Sequence, residues 1–209
     1  IVKSCIIEDC ERDCLKGIGI KHLNVQQSQF MNIGRLGISN ETIYNYYPLS
    51  SQITGNHFES CGTGGIHTET TFAYPVCEIS FIGNIIKNCC NDSWMEHPYG
   101  IVAGNNTRGI ISGNTVLNCG TLENDASGIV AGNIGGGLVI SGNTIDSTGR
   151  NGIAVSDVND NKVTISANMI QNAGEVGIIA YMAPNVTITG NTIFDSQREG
   201  IVIDLSSFS

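Results

Sequence analysis

Apolar residues recur along this chain in short alternating runs, and the runs are copied with small changes from one end to the other. The stretch VISGNTIDSTGRNGIAV (139–155) returns as TITGNTIFDSQREGIVI (187–203) and more loosely as TISANMIQNAGEVGIIA (164–180). Anchoring on the Gly-Asn pair gives eight units, starting at Ser4, Gln27, Gly55, Gly83, Gly113, Gly142, Ala167 and Gly190, spaced 23 to 30 residues apart. Periods of this size mark solenoids, whose units bury their apolar faces only by stacking.

The columns of this alignment predict the elements. Two residues before each anchor stand Val2, Val25, Ile53, Phe81, Ile111, Ile140, Ile165 and Ile188; three after it stand Ile7, Phe30, Phe58, Ile86, Val116, Ile145, Ile170 and Ile193. A further strand follows a Gly-Ile pair, with Ile38, Ile66, Ile101, Ile129, Ile153, Ile178 and Ile201 in register and Ile18 as the member expected in the first coil. Period-2 alternation within each run is the mark of a strand with one face buried, so like residues stack coil on coil into parallel ladders. One residue after the anchor, Asn56, Asn84, Asn114, Asn143, Asn168 and Asn191 form a column. Asn tolerates tight turns and its amide can bond the next amide in the stack, so this column reads as scaffold.

The expected fold is all-β, a right-handed parallel β-helix of about eight coils with 23–30 residues per coil, forming a single domain over 1–209. Because the repeat is already running at residue 1 and still running near 203, the chain reads as a piece of a larger protein. Coils of this length with Ile and Asn ladders resemble the right-handed parallel β-helix of the pectate-lyase-like superfamily. Its members include polysaccharide lyases, glycoside hydrolases, epimerases, phage tailspikes and non-catalytic surface proteins. The resemblance implies the fold and, as an expectation, a polysaccharide partner and an extracellular, cell-surface or virion location. It brings no catalytic motif with it.

Composition narrows the choice. The net charge of −9, with scattered Lys and Arg, argues against nucleic acid, whose backbone is bound mainly by cations. No apolar run reaches membrane-spanning length, so no membrane partner is expected. The eight cysteines all fall within the first 119 residues, and Cys10, Cys61, Cys89 and Cys119 share one inward column, six after the anchor. Stacked reduced thiols are the first reading, although the strand spacing also admits a disulfide between neighbours. Zinc spacing is lacking and no metal site is expected, except that a lyase would admit calcium.

The departures from the repeat point to chemistry, because loops carry sites on rigid supports. Insertions fall at 40–51, 68–76, 88–101 and 118–129, and they hold Tyr44, Tyr47, Tyr74, Trp94, His97 and Tyr99. These six are the candidate substrate-binding residues, since aromatic faces stack on sugar rings. Beside them, outward positions carry Ser39 and Glu41 in one coil and His67 and Glu69 in the next, where later coils have Val102/Gly104 and Val130/Gly132. Glu41, His67 and Glu69 are the catalytic candidates. Two carboxylates on adjacent rungs suit a retaining glycosidase, with the like charges raising one pKa to give an acid beside a base. Lys21, Arg35 and Arg108 are the basic candidates a lyase would need, and the excess of acids favours hydrolysis of a neutral glycan. The function expected is binding and cleavage of a polysaccharide by a glycosidase or lyase. The alternative is a non-catalytic glycan-binding or structural segment of a tailspike or surface fibre, which as a tailspike would be a homotrimer.

Overall fold

The computed structural model describes residues 1–18, 20–41, 49–70, 76–91, 98–121, 123–158 and 161–205. Among the described residues twenty-four short strands form three parallel sheets of eight strands each, so every coil contributes one strand to each sheet. Sheet one carries the strands before the anchors, from Val2–Lys3 to Val186–Thr189. Sheet two carries those after them, from Ile6–Glu8 to Thr192–Phe194, and sheet three those at the Gly-Ile pairs, from Leu15–Ile18 to Ile201–Asp204. The architecture is the parallel β-solenoid expected, with one rung per sequence unit.

The registers reproduce the columns. Val25 pairs with Ile53, Ile53 with Phe81 and Phe81 with Ile111 in sheet one, and all four side chains are fully buried. In sheet two Phe30 lies on Phe58 with ring centroids 4.9 Å apart and planes 6° from parallel. Sheet three differs from the sequence reading at one place. Leu15, not Ile18, pairs with Ile38, and Ile18 faces outward at 46% exposure. The cause is the spacing: Leu15 lies eleven after its anchor, as Ile38 and Ile66 do, whereas the Gly17-Ile18 dipeptide only imitates the local pattern.

Two corners of each coil turn through a left-handed residue. The anchors themselves have φ between 50° and 64° in every coil. Five residues later Asp9, Asn32, Ser60, Asn88, Asn118, Ser147, Asn172 and Asp195 do the same, with φ of 52° to 59°. Inside the first corner the asparagines stack as expected. Asn84 donates from Nδ2 to Oδ1 of Asn114 (2.9 Å) and to the Ile53 carbonyl (2.8 Å), and its backbone N–H reaches the same Oδ1 at 3.0 Å. Each buried amide thereby satisfies the turn of its own coil and the coil beside it.

The glycine before each sheet-three Ile answers to packing. A Cβ on Gly128 would lie 2.7 Å from Cγ2 of Ile145 and 2.7 Å from the Gly152 carbonyl oxygen. The Ile ladder of sheet two therefore fills the space that a side chain there would need.

Candidate functional site

The outer face of sheet three, over the first four coils, carries the polar side chains singled out above. Ser39 and Glu41 project from Leu36–Glu41, and His67 from Gly64–Thr68. Ser39 is in register with His67, and the Glu69 amide donates to the Asn40 carbonyl at 3.2 Å, so Glu41 and Glu69 occupy successive rungs, about 4.8 Å apart at the backbone. Next in these rows come Val102, in register with His67, and Gly104 beyond it. The polar strip ends there.

The structure brings Glu41, His67, Glu69 and Tyr99 together. Tyr99 opens the strand Tyr99–Ala103, in sheet three rather than in a loop, and its hydroxyl lies 3.2 Å from Nδ1 of His67. The two rings meet edge to face at 5.5 Å. On its other side His67 places Nε2 3.4 Å from Oε2 of Glu69, and Asn105 donates from Nδ2 to the same oxygen at 3.4 Å. The imidazole is thus held between a phenol and a carboxylate, with only 12% of its side chain exposed. Tyr44, Tyr47, Tyr74, Trp94 and His97 lie outside the described residues.

The electrostatics overturn one expectation. Two neighbouring glutamates were expected to raise one carboxyl pKa, but Glu69 is held below its ordinary value, chiefly by the hydrogen bond and charge of His67 and against the effect of partial burial. Glu41 does not turn toward Glu69. It accepts a hydrogen bond from the Ser39 hydroxyl (2.5 Å) and pairs with Lys16 at 3.4 Å. Each carboxylate therefore has its own partners, and repulsion between the two is not the dominant interaction. Tyr99 moves the other way: burial first, then the charges of Glu69 and Glu41, push its phenol well up, so it stays protonated.

Sequence reasoning named Arg35 but missed the neighbouring Lys16 and Arg12. Lys16 and Arg35 both lie 3.6 Å from Asp13, whose side chain is only 4% exposed. The Leu36 amide donates to Oδ1 of the same carboxylate at 3.4 Å. Arg12, Asp13, Lys16, Ile18 and Arg35 line an open groove of about 330 Å³ beside Glu41. Of the basic residues named from the sequence, Arg35 belongs here, whereas Arg108 pairs with Glu78 on the outer face of sheet one. The overlooked signal was the first coil's register: counted from its anchor, Lys16 aligns with Ser39 and His67. Among the described residues no group of three His, Cys, Asp or Glu side chains could hold a metal ion.

A family profile described as a right handed beta helix region matches residues 99–209, just over half of the chain. No curated protein and no solved structure matches. The matched span holds the later coils and, of the polar strip, only Tyr99 and Asn105, so the other site residues stand on geometry alone.

Proposed function

Because the chain belongs to the right-handed β-helix family, whose stacked coils hold outward side chains in fixed rows, we propose that it binds a polysaccharide laid across sheet three at coils one to four. The observation that carries this reading is the strip of Glu41, His67, Glu69 and Tyr99 on adjacent rungs, with the buried Ser39 hydroxyl holding Glu41, bounded by Val102 and Gly104. Carboxylates and an imidazole at strand spacing offer hydrogen bonds to successive sugar hydroxyls. The rigid ladder beneath lowers the cost of ordering them. An extracellular or surface location belongs to the same proposal.

A panel of neutral and acidic polysaccharides titrated calorimetrically into the full chain tests it. At least one should bind, and Glu69→Gln should weaken it roughly tenfold, about 1.4 kcal/mol. Absence of binding across the panel, or equal affinity in the variant, refutes the site.

A second reading concerns cleavage by elimination, which the cationic groove beside the strip favours. Hydrolysis with retention needs a protonated carboxyl beside an ionised one. Glu69 is held ionised and so is able to accept a proton, although its lowered pKa makes it a weaker base than an ordinary carboxylate. The groove with Arg12, Lys16 and Arg35 beside Glu41 suits the carboxylate of a uronic acid. In such a step Glu69 takes the proton next to the sugar carboxylate, a C=C bond forms, and the bond to the leaving oxygen breaks as water protonates that oxygen. Unsaturated products from an acidic glycan support elimination, and new reducing ends without unsaturation support hydrolysis. Binding without turnover leaves the non-catalytic fibre segment.

A further inference from the structure

Sheet one carries a second local group of polar side chains on its outer face. Gln52 is in register with Ser80, and Glu78 with Arg108, so the four stand on three successive rungs. Together they wall a groove of about 280 Å³. Glycine keeps it open. Gly109, in register with Ile79, has φ 133°, and a Cβ there would lie 2.0 Å from the Ile79 carbonyl oxygen. No side chain fits at that position, so the groove is lined there by bare backbone. Gly137, at the far side of Arg108, adds no side chain either. The polar character is local, because the row of Gln52 and Ser80 continues as Ile110 and Val139.

The side chains are oriented but not saturated. Arg108 donates from Nη2 to Oε1 of Glu78 at 2.5 Å, and Asn24 donates from Nδ2 to Oε1 of Gln52 at 3.3 Å. Among the described residues no hydrogen bond engages Nε2 of Gln52, Oγ of Ser80 or Oε2 of Glu78. One amide donor, one hydroxyl, one carboxylate oxygen and the rest of a guanidinium therefore remain available on the groove walls. Glu78 and Arg108 hold each other in place, so binding to them costs less side-chain freedom than binding to two separate side chains.

We propose that this groove binds a neutral sugar unit, as a site separate from the strip on sheet three and independent of it. A carboxylate, a guanidinium and a carboxamide are planar groups that each offer two hydrogen-bonding positions side by side. Neighbouring sugar hydroxyls, which both donate and accept, match that arrangement. The charges select for neutrality. Glu78 and Arg108 cancel, so an anion meets the carboxylate and a cation meets the guanidinium. The groove beside Glu41 differs, since its three cations, Arg12, Lys16 and Arg35, outnumber Asp13. The size of the sheet-one groove lies near the lower end for small-molecule sites, roughly 300 Å³, which suits a single ring rather than a long chain.

The test follows amide NMR spectra of the full chain as the methyl glycosides of neutral hexoses, 6-deoxyhexoses and N-acetylhexosamines are added in turn. At least one should shift the Gly109 and Gly137 amides and the Gln52 side-chain amide saturably. Arg108→Ala and Gln52→Ala should each weaken that sugar roughly tenfold. Their denaturation midpoints should stay close to that of the parent, because Gln52 is exposed and the Glu78–Arg108 pair is half-exposed or more and contributes little to stability. Glu69→Gln, on sheet three, should leave these shifts unchanged, so this site and the one on sheet three fail separately. The methyl glycoside of glucuronic acid should bind more weakly than that of glucose. Absence of saturable shifts with every sugar overturns the proposal, as do shifts that survive both substitutions or that fall only on sheet three. Preference for glucuronate over glucose overturns it as well.

Discussion

The phenolic oxygen of Tyr99 lies 3.2 Å from Nδ1 of His67, joining the fourth coil to the third across the rim of the polar strip. The Tyr99 phenol stays protonated, and the imidazole keeps Nε2 facing Glu69. Tyr99→Phe leaves Nδ1 of a largely buried histidine without its partner, which should cost about 1–3 kcal/mol of stability. Urea unfolding of both proteins measures it. An unchanged midpoint means that the bond is replaced by water and that Tyr99 does not position His67.

Glu69 gives a dependence on pH whose sign follows from its shift. Its folded-state pKa lies below the ordinary 4.5, first because of the hydrogen bond from His67. The stabilisation is therefore complete above that ordinary value and is lost as pH falls through the folded pKa. His67→Ala should raise the Glu69 pKa toward 4.5 and flatten this acid limb, without altering stability's slope above neutrality. Carboxyl titration by NMR reads the first effect directly. A Glu69 pKa unmoved by the substitution would show that Asn105 or the backbone holds the charge instead.

The solenoid and its ladders were legible because stacking repeats the same demand in every coil, so Val25, Ile53, Phe81 and Ile111 announce one another. The second left-handed corner was equally written in the chain, as Asp, Asn or Ser five residues after every anchor, but without glycine it did not stand out. Within the site, the outward row of Ser39, His67, Glu41 and Glu69 could be counted from the register. The rotamers could not: whether Glu41 turns to Glu69 or to Lys16 depends on the first coil, where Gly17-Ile18 masks the true position of Leu15.

The asparagine ladder should be most sensitive at its centre. Asn114 bonds to the Phe81 carbonyl and to Asn143, and it accepts from both the backbone and the side chain of Asn84. Asn114→Ala strands several buried polar groups at once, so a loss of about 3 kcal/mol or more is expected. At the last rung Asn191 is only partly buried, and Asn191→Ala should cost clearly less. Equal losses at the two positions, compared by chemical denaturation, would contradict a buried cooperative ladder.

Two glycines separate close packing from backbone strain. Gly128→Ala forces a Cβ to within 2.7 Å of both Ile145 and the Gly152 carbonyl, which should cost about 1–3 kcal/mol or more through overpacking. Gly142 has φ 63° and nothing within 4 Å of a Cβ placed there. Only the left-handed penalty applies, about 1 kcal/mol, and Ala167 already adopts that conformation in the same column (φ 54°). Thermal unfolding should rank Gly128→Ala well below Gly142→Ala; the reverse order would mean that the sheet-two ladder yields easily.

In the fully reduced protein the thiol column should make the fold sensitive to base. Burial pushes Cys77 up to about 12, with the charge of Glu78 adding to it; Cys90 is raised by burial and by Cys119, and Cys61 by its hydrogen bond with Cys89 and by burial. Groups whose acid form is favoured by folding contribute fully below the ordinary thiol value of 9.0, and that contribution is lost as pH rises, since only the unfolded chain then releases their protons. Each buried thiol contributes a slope of about 1.4 kcal/mol per pH unit, so these three together approach 4 kcal/mol per unit between roughly pH 9 and 11. Cys77→Ser should remove about a third of that slope. Stability that stays flat from neutral to about pH 10.5 in the reduced protein would show that these thiols ionise in place and that the column is open to water.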